Sequence, residues 1–337
     1  MRNNMENKID RSNMKGVIMD STEQLKKGLA LAKNIKIGGD VKNIIICGIG
    51  GSALPADIVN AVAKLTVPLY IQRTYHLPVV ADENSLVICV SYSGNTEEPL
   101  SVLNEAINKK YKIIGISAGG QVEQLCVKNN IPLVKIPSGI EPRCATGYIF
   151  SALMQLMANM GLAEEISNQV IETSNQLTAI NPLLQKEGKK LAKKIANNIP
   201  IVYSSDNFKT VAMIWKIKFN ENSKIPAFYN YFPELNHNEM VGYTGLKKLG
   251  AKNFHVIILQ DLQDHERILK RIRLTTNAIK KAGAKVEIVN MKEGSHLFKV
   301  FSTLLLGDWV SYYVAIEHGI DPTPVKIVEE FKGLMQR

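Results

Sequence analysis

The segment Ile44-Ile45-Ile46-Cys47-Gly48-Ile49-Gly50-Gly51-Ser52-Ala53 decides the fold. Its apolar run, starting at Lys42 and ended by glycine, reads as a buried strand. The glycines let the chain turn sharply and bring backbone N–H groups close to a ligand. Residues 53–64 then have helical spacing. Strand, glycine turn and helix in that order begin a parallel α/β sheet. Further strands are expected over 67–72, 85–90, 112–116 and 132–136, with helices over 97–109 and 122–128. The expected fold class is α/β, with a doubly wound, mostly parallel sheet.

An amphipathic helix over 21–32, capped by Ser21, precedes this sheet. A long apolar helix over 145–160 follows it. Residues 162–198 are largely helical and polar, with a break expected at Pro182. A second α/β pattern then starts, with strands over 199–203, 226–229, 253–259 and 285–289. Its helices are expected over 208–219, 264–282, 297–318 and 324–335. The two halves read as divergent copies offset by roughly 155–160 residues, one fold used twice rather than a short-period solenoid. The expected domains are 1–160 and 199–337, joined by a helical connection over 161–198.

The chain has 337 residues, 45% hydrophobic and 21% charged, which suits a folded globular protein. Its net charge of +10 favours anionic partners without choosing among them. The densest basic clusters, Lys186 to Lys194 and Lys270 to Lys281, have the spacing of solvated helix faces, so no nucleic-acid partner is expected. The N-terminus lacks the apolar core of a secretory signal. The most apolar late stretch is interrupted by Asp308, so no membrane span is expected. Cys47, Cys89, Cys126 and Cys144 are scattered, which suggests a reducing compartment and a cytoplasmic location.

Gly48, Gly50 and Ala53 match the dinucleotide form G-x-G-x-x-A, but that fingerprint needs an acid about 20 residues later. Gln72-Arg73-Thr74 stands there, which removes the ribose anchor of NAD and leaves Arg73 as the basis of an NADP alternative. The bland reading is a tight turn without a ligand. Ser91-Tyr92-Ser93-Gly94-Asn95-Thr96-Glu97-Glu98 follows the 85–90 strand. Three hydroxyls and the backbone amides can satisfy a phosphate monoester without lysine. Thr96 as a plain helix cap is the alternative, but it leaves Ser91 and Ser93 unexplained. Both turns lie at strand ends, where open α/β sheets bind ligands. The second copy offers Gln260-Asp261-Leu262-Gln263-Asp264-His265-Glu266, whose three acids would repel phosphate. One phosphate site per chain is therefore expected.

At these residues the chain resembles the sugar isomerase (SIS) domain family, and within it the bifunctional phosphoglucose/phosphomannose isomerases. The resemblance spans essentially the whole chain. It rests on Gly48-Ile49-Gly50-Gly51-Ser52-Ala53, Ser91-Tyr92-Ser93-Gly94-Asn95-Thr96 and Pro137-Ser138-Gly139-Ile140-Glu141-Pro142-Arg143. In the second half it rests on Glu221-Asn222-Ser223-Lys224-Ile225-Pro226, Leu235-Asn236-His237-Asn238-Glu239 and Asp321-Pro322-Thr323-Pro324-Val325 before Lys332. The resemblance implies two SIS-type domains and a hexose 6-phosphate substrate. Ser91, Ser93 and Thr96 would hold the 6-phosphate, and Gly51 and Ser52 would contact the sugar. Glu221 would move the proton between C2 and C1, and Arg143 would stabilise the enediolate. His237 and Lys332 would assist ring opening. In relatives the histidine reaches the other subunit's site, which implies a homodimer with shared active sites.

The residues carry this chemistry in the following way. Glu221 lies at the end of an apolar helix, where partial desolvation can raise a carboxylate toward the range a general base needs. The alternative is a solvated helix-end glutamate. His237, in a polar loop, has the side chain suited to proton exchange near neutral pH, although loop histidines are often ordinary. Arg143 offers a cation for the charge that develops on oxygen, or a surface pair with Glu141. Lys332 could instead be a favourable charge at a helix C-terminus, and Lys326 competes for its role. The six histidines show no metal-ligand spacing, and isomerisation needs no redox cofactor, so neither metal nor cofactor is expected. The rival functions are an SIS enzyme acting on amino-sugar phosphates and a non-catalytic SIS sugar-phosphate sensor.

Overall fold

The computed structural model describes the backbone of residues 2–335 and, within that span, the side chains of all but residues 2–5, 247 and 249. Two compact units are present, Asp20–Thr178 and Met1–Met19 with Ala179–Arg337.

In the Asp20–Thr178 unit, five strands form a parallel sheet: β1 (Asn43–Cys47), β2 (Leu69–Gln72), β3 (Ser85–Val90), β4 (Lys112–Ser117) and β5 (Leu133–Lys135), in the order β2-β1-β3-β4-β5. Every residue of β1 and β3 is buried. That burial explains their continuous apolar runs, because a parallel sheet is covered on both faces. Ile44 pairs with Leu86, Ile46 with Ile88 and Cys47 with Cys89. This register brings the two turns that follow to the same sheet end.

The other unit holds β6 (Ile199–Ser205), β7 (Phe228–Phe232), β8 (Phe254–Gln260) and β9 (Lys285–Asn290), all parallel, in the order β7-β6-β8-β9. Position for position, this is the order of the first four strands of the other sheet. The divergent copies read from the sequence are therefore one topology used twice, and the α/β class is observed. The Arg2–Ile9 and Met14–Asp20 helices belong to this unit. Asp10 accepts the Met14 and Lys15 N–H groups at 2.7 and 2.9 Å and the Tyr312 hydroxyl at 3.2 Å.

Three local expectations differ from the structure. The helix expected to break at Pro182 runs unbroken from Ser167 to Ile195. Asn181 explains this: its amide donates to Met19 O at 3.0 Å and its carbonyl accepts from Trp309 Nε1 at 2.7 Å. These tertiary bonds offset the backbone bond that proline removes. The strand expected over 226–229 is displaced to Phe228–Phe232, because pairing with β6 runs from Ile201–Phe228 to Ser205–Phe232. The first long helix starts at Gln24, after a 3₁₀ turn over Ser21–Glu23, and Glu23 at its cap position makes no side-chain cap bond. No described helix is long and apolar enough to cross a membrane.

Candidate active site

Three segments singled out in the sequence converge in the Asp20–Thr178 unit. After β1 the chain makes a 3₁₀ turn over Gly50–Ser52. A Cβ at Gly51 would lie 2.5 Å from the backbone nitrogen of Arg143, so only glycine lets the two loops approach this closely. The Ser52 hydroxyl accepts the Tyr92 N–H at 3.0 Å, which ties the glycine turn to the serine loop. The Tyr92 hydroxyl donates to Pro137 O at 2.9 Å and accepts from the Ile140 N–H at 3.2 Å, which ties the serine loop to the Arg143 segment. Burial pushes the Tyr92 phenol upward, so it remains a donor. Tyr92 is a positioning residue that the sequence reading did not single out, although it lies inside the Ser91–Thr96 motif.

The serine loop is shaped by Gly94, whose φ is +72° and where a Cβ would fall on the Gly119 carbonyl oxygen. Its turn gathers the three expected hydroxyls. Ser91 Oγ donates to Thr96 Oγ1 at 3.2 Å, and Ser93 Oγ lies 3.5 Å from the same atom. Ser91 is buried, Thr96 half-buried and Ser93 exposed, so the cluster grades from the sheet outward to solvent. Thr96 is the N-cap position of the Glu97–Asn108 helix, yet its side chain makes no cap bond. The plain-cap reading therefore does not account for the hydroxyl. At the helix start, Pro99 carries no N–H, so the Glu97 and Glu98 N–H groups are the donors left to that end. Hydroxyls, free amides and the positive end of a helix dipole together suit a phosphate group.

Arg143 is not the surface arginine of the bland reading. It is 1% exposed and pairs with Glu141 at 3.2 Å. Arg73, the basis of the NADP alternative, pairs with Asp57 at 2.5 Å, and Asp57 sits on the helix after the glycine turn.

In the other unit, Glu221 is the last residue of the Lys209–Glu221 helix and is half-buried. Its surroundings are fixed. Asn222 Nδ2 donates to Ser311 Oγ at 3.0 Å, Ser223 Oγ donates to Ser311 O at 2.7 Å, and Asn220 Nδ2 donates to Ile225 O at 2.9 Å. Lys224, at φ +57°, donates from Nζ to Glu221 O and to Pro322 O, the latter at 3.0 Å. One ammonium thus joins the Glu221 segment to the Asp321–Val325 segment.

His237 follows the 3₁₀ turn Glu234–Asn236 and is exposed, and among the described residues its ring makes no hydrogen bond. The structure therefore does not bring the His237 ring onto Glu221. Lys332 lies in the last turn of the Lys326–Met335 helix, no residue of which is buried, and Lys326 opens that helix. Lys332 sits where a cation meets the negative end of the helix dipole, and the positions do not separate the two lysines as site residues.

The strand end after β8 is closed to phosphate. Lys299, 5% exposed, donates to both Asp261 oxygens at 2.8 and 2.7 Å and to Gln263 Oε1 at 2.7 Å. All three ammonium protons are used inside the fold.

The family model of the bacterial phospho-glucose isomerase C-terminal SIS domain matches residues 184–335. The chain is 37% identical to the bifunctional phosphoglucose/phosphomannose isomerase of Caldicellulosiruptor bescii, over 92% of this chain and 95% of that one. It is 31% identical to the D-glucosamine-6-phosphate 4-epimerase of Sulfolobus acidocaldarius, over 70% of this chain and 74% of that one. Its fold is similar to that of a hypothetical protein from Thermus thermophilus, with TM-score 0.74, 14% identity, and 95% and 89% of the two chains covered. With two parallel α/β sheets of one topology and a full-length relative at this identity, the chain belongs to the bifunctional phosphoglucose/phosphomannose isomerase family.

Proposed function

We propose that the chain interconverts glucose 6-phosphate and mannose 6-phosphate with fructose 6-phosphate through an enediolate shared by C1 and C2. The observation that carries this reading is the hydroxyl cluster of Ser91, Ser93 and Thr96 at the end of β3, in a chain 37% identical to a relative of that name. Ser91, Ser93 and Thr96 hold the 6-phosphate, and the turn of Gly51 and Ser52 contacts the sugar. Glu221 takes the C2 proton of the aldose and returns it to C1. The buried cation of Arg143 offsets the charge on the enediolate oxygens. His237 and Lys332 exchange the protons that open and close the ring. Once the C2 proton is removed, that carbon is planar, so return of a proton to either face gives either epimer. The active form is a homodimer in which the histidine serves the partner's substrate, and its place is the cytoplasm.

The similarity to a glucosamine-6-phosphate epimerase favours a second reading, an enzyme of amino-sugar phosphates. A coupled assay with glucose 6-phosphate, mannose 6-phosphate and fructose 6-phosphate, run with a chelator, tests the first. Turnover of all three supports it. Turnover of glucosamine 6-phosphate alone supports the second.

A further inference from the structure

We infer that Glu239, acting with Asn236, is a positioning residue that holds the His237 loop rigid so that the imidazole meets its substrate in one orientation. The inference rests on the assignment of His237 to proton exchange.

The loop from Leu235 to Glu239 is anchored at every residue except the histidine side chain. Leu235 is fully buried and packs in a core with Tyr203, Phe232 and Tyr243. Asn236 donates to Thr275 Oγ1 at 2.8 Å and accepts from Arg271 Nη1 at 3.2 Å, both on the Glu266–Lys281 helix. Asn238 donates to Glu234 Oε1 at 2.7 Å and accepts the Glu239 N–H at 2.6 Å. Glu239 has both oxygens bound: Oε1 accepts the Tyr203 hydroxyl and Oε2 accepts Asn230 Nδ2 at 2.5 Å.

These partners lie on β6, inside the sheet, and on β7, its neighbour at the edge, so the carboxylate fastens the loop to the sheet. The Tyr203 and Tyr243 hydroxyls are 2.6 Å apart. Burial pushes both phenols upward, so each keeps its proton. The carboxylate can only accept, so Tyr203 donates to Glu239 and takes its own hydrogen bond from Tyr243. The donors therefore run from Tyr243, on the Glu239–Gly245 turn, through Tyr203 on β6 to Glu239.

His237 is different. It is exposed and its backbone N–H donates to Glu234 O at 2.9 Å, while its ring makes no hydrogen bond among the described residues. A rigid mount with one polar side chain left uncommitted suits a group that must meet a ligand. Positional error in such a group is costly: a misplacement of about 1 Å can lower a rate on the order of 100-fold.

The test is a double-mutant cycle on the full chain, reading kcat and KM with fructose 6-phosphate. Glu239→Gln is expected to lower kcat about 10-fold and to leave KM within about 2-fold, because an orienting effect appears in the reaction step. In a His237→Asn background the same change is expected to add no loss. Adding Asn230→Asp to Glu239→Gln exchanges carboxylate and amide and is expected to restore kcat. Equal losses in both backgrounds would overturn the proposal alone. An unchanged kcat in His237→Asn would remove the histidine assignment and the proposal with it. If Glu239→Gln does not fold, Tyr203→Phe, which deletes only the donor hydroxyl, replaces it in the cycle with the same expected outcomes.

Discussion

The hydroxyl of Ser91 donates to the hydroxyl of Thr96 at 3.2 Å, across the turn that Gly94 makes after β3. Both residues could have served the loop or the helix separately. Instead Thr96 leaves the helix start uncapped and turns toward the serines. A helix N-terminus whose capping residue faces elsewhere retains donors for an anion.

Thr96→Val removes that hydroxyl and keeps the side-chain shape. The buried Ser91 hydroxyl loses its acceptor, so Tm is expected to fall by a few degrees, and KM for hexose 6-phosphates to rise about 10-fold, the effect of one lost hydrogen bond to a charged group. Loss of a cap alone would lower stability by about 1 kcal/mol and leave KM unchanged. Thermal melting and initial rates on one preparation separate the two.

Ser93→Ala is expected to raise KM for glucose, mannose and fructose 6-phosphates by the same factor, with kcat nearly constant. The 6-phosphate is common to all three and is held equally throughout the reaction. A change in KM for one sugar only would place Ser93 at the sugar ring rather than at the phosphate.

Glu221→Gln should lower kcat by about 10²–10⁴-fold, the range for loss of a general base. Calorimetric titration should show substrate binding nearly unchanged. Retained exchange of the C2 proton with solvent in this variant would remove Glu221 from its role.

Asp264 gives a pH prediction. Burial raises its carboxyl above the ordinary range, and the nearby Asp261 adds to the rise, against Ser205, Asn207 and Lys299. A carboxyl raised on folding favours the folded state below its unfolded pKa, and that contribution is lost as pH rises through the folded value. Asp264→Asn is therefore expected to raise Tm by a few degrees at pH 7. The gain should vanish as pH falls below the carboxylate range. Melting curves from pH 3 to 8 measure it.

Much of this was legible in the sequence because parallel strands buried on both faces leave continuous apolar runs, as Ile44 to Cys47 and Leu86 to Val90 do. The glycine turn and the serine loop were legible because backbone geometry demands particular residues there. What escaped reading was set by distant partners. Pro182 stays helical because Met19 and Trp309 hold Asn181, and β7 starts at Phe228 because β6 dictates its register. Tyr92 and Glu239 escaped for the same reason: Tyr92 is bonded to residues 40–48 positions away, and Glu239 to residues 9 and 36 positions away on two strands. Local pattern carries no record of such pairs.

The most direct test of the account is incubation of the enzyme with fructose 6-phosphate in D2O with a chelator present, followed by NMR of the aldose products. The account predicts glucose 6-phosphate and mannose 6-phosphate, each carrying deuterium at C2. Products still free of deuterium after many turnovers, or no aldose at all, would contradict it.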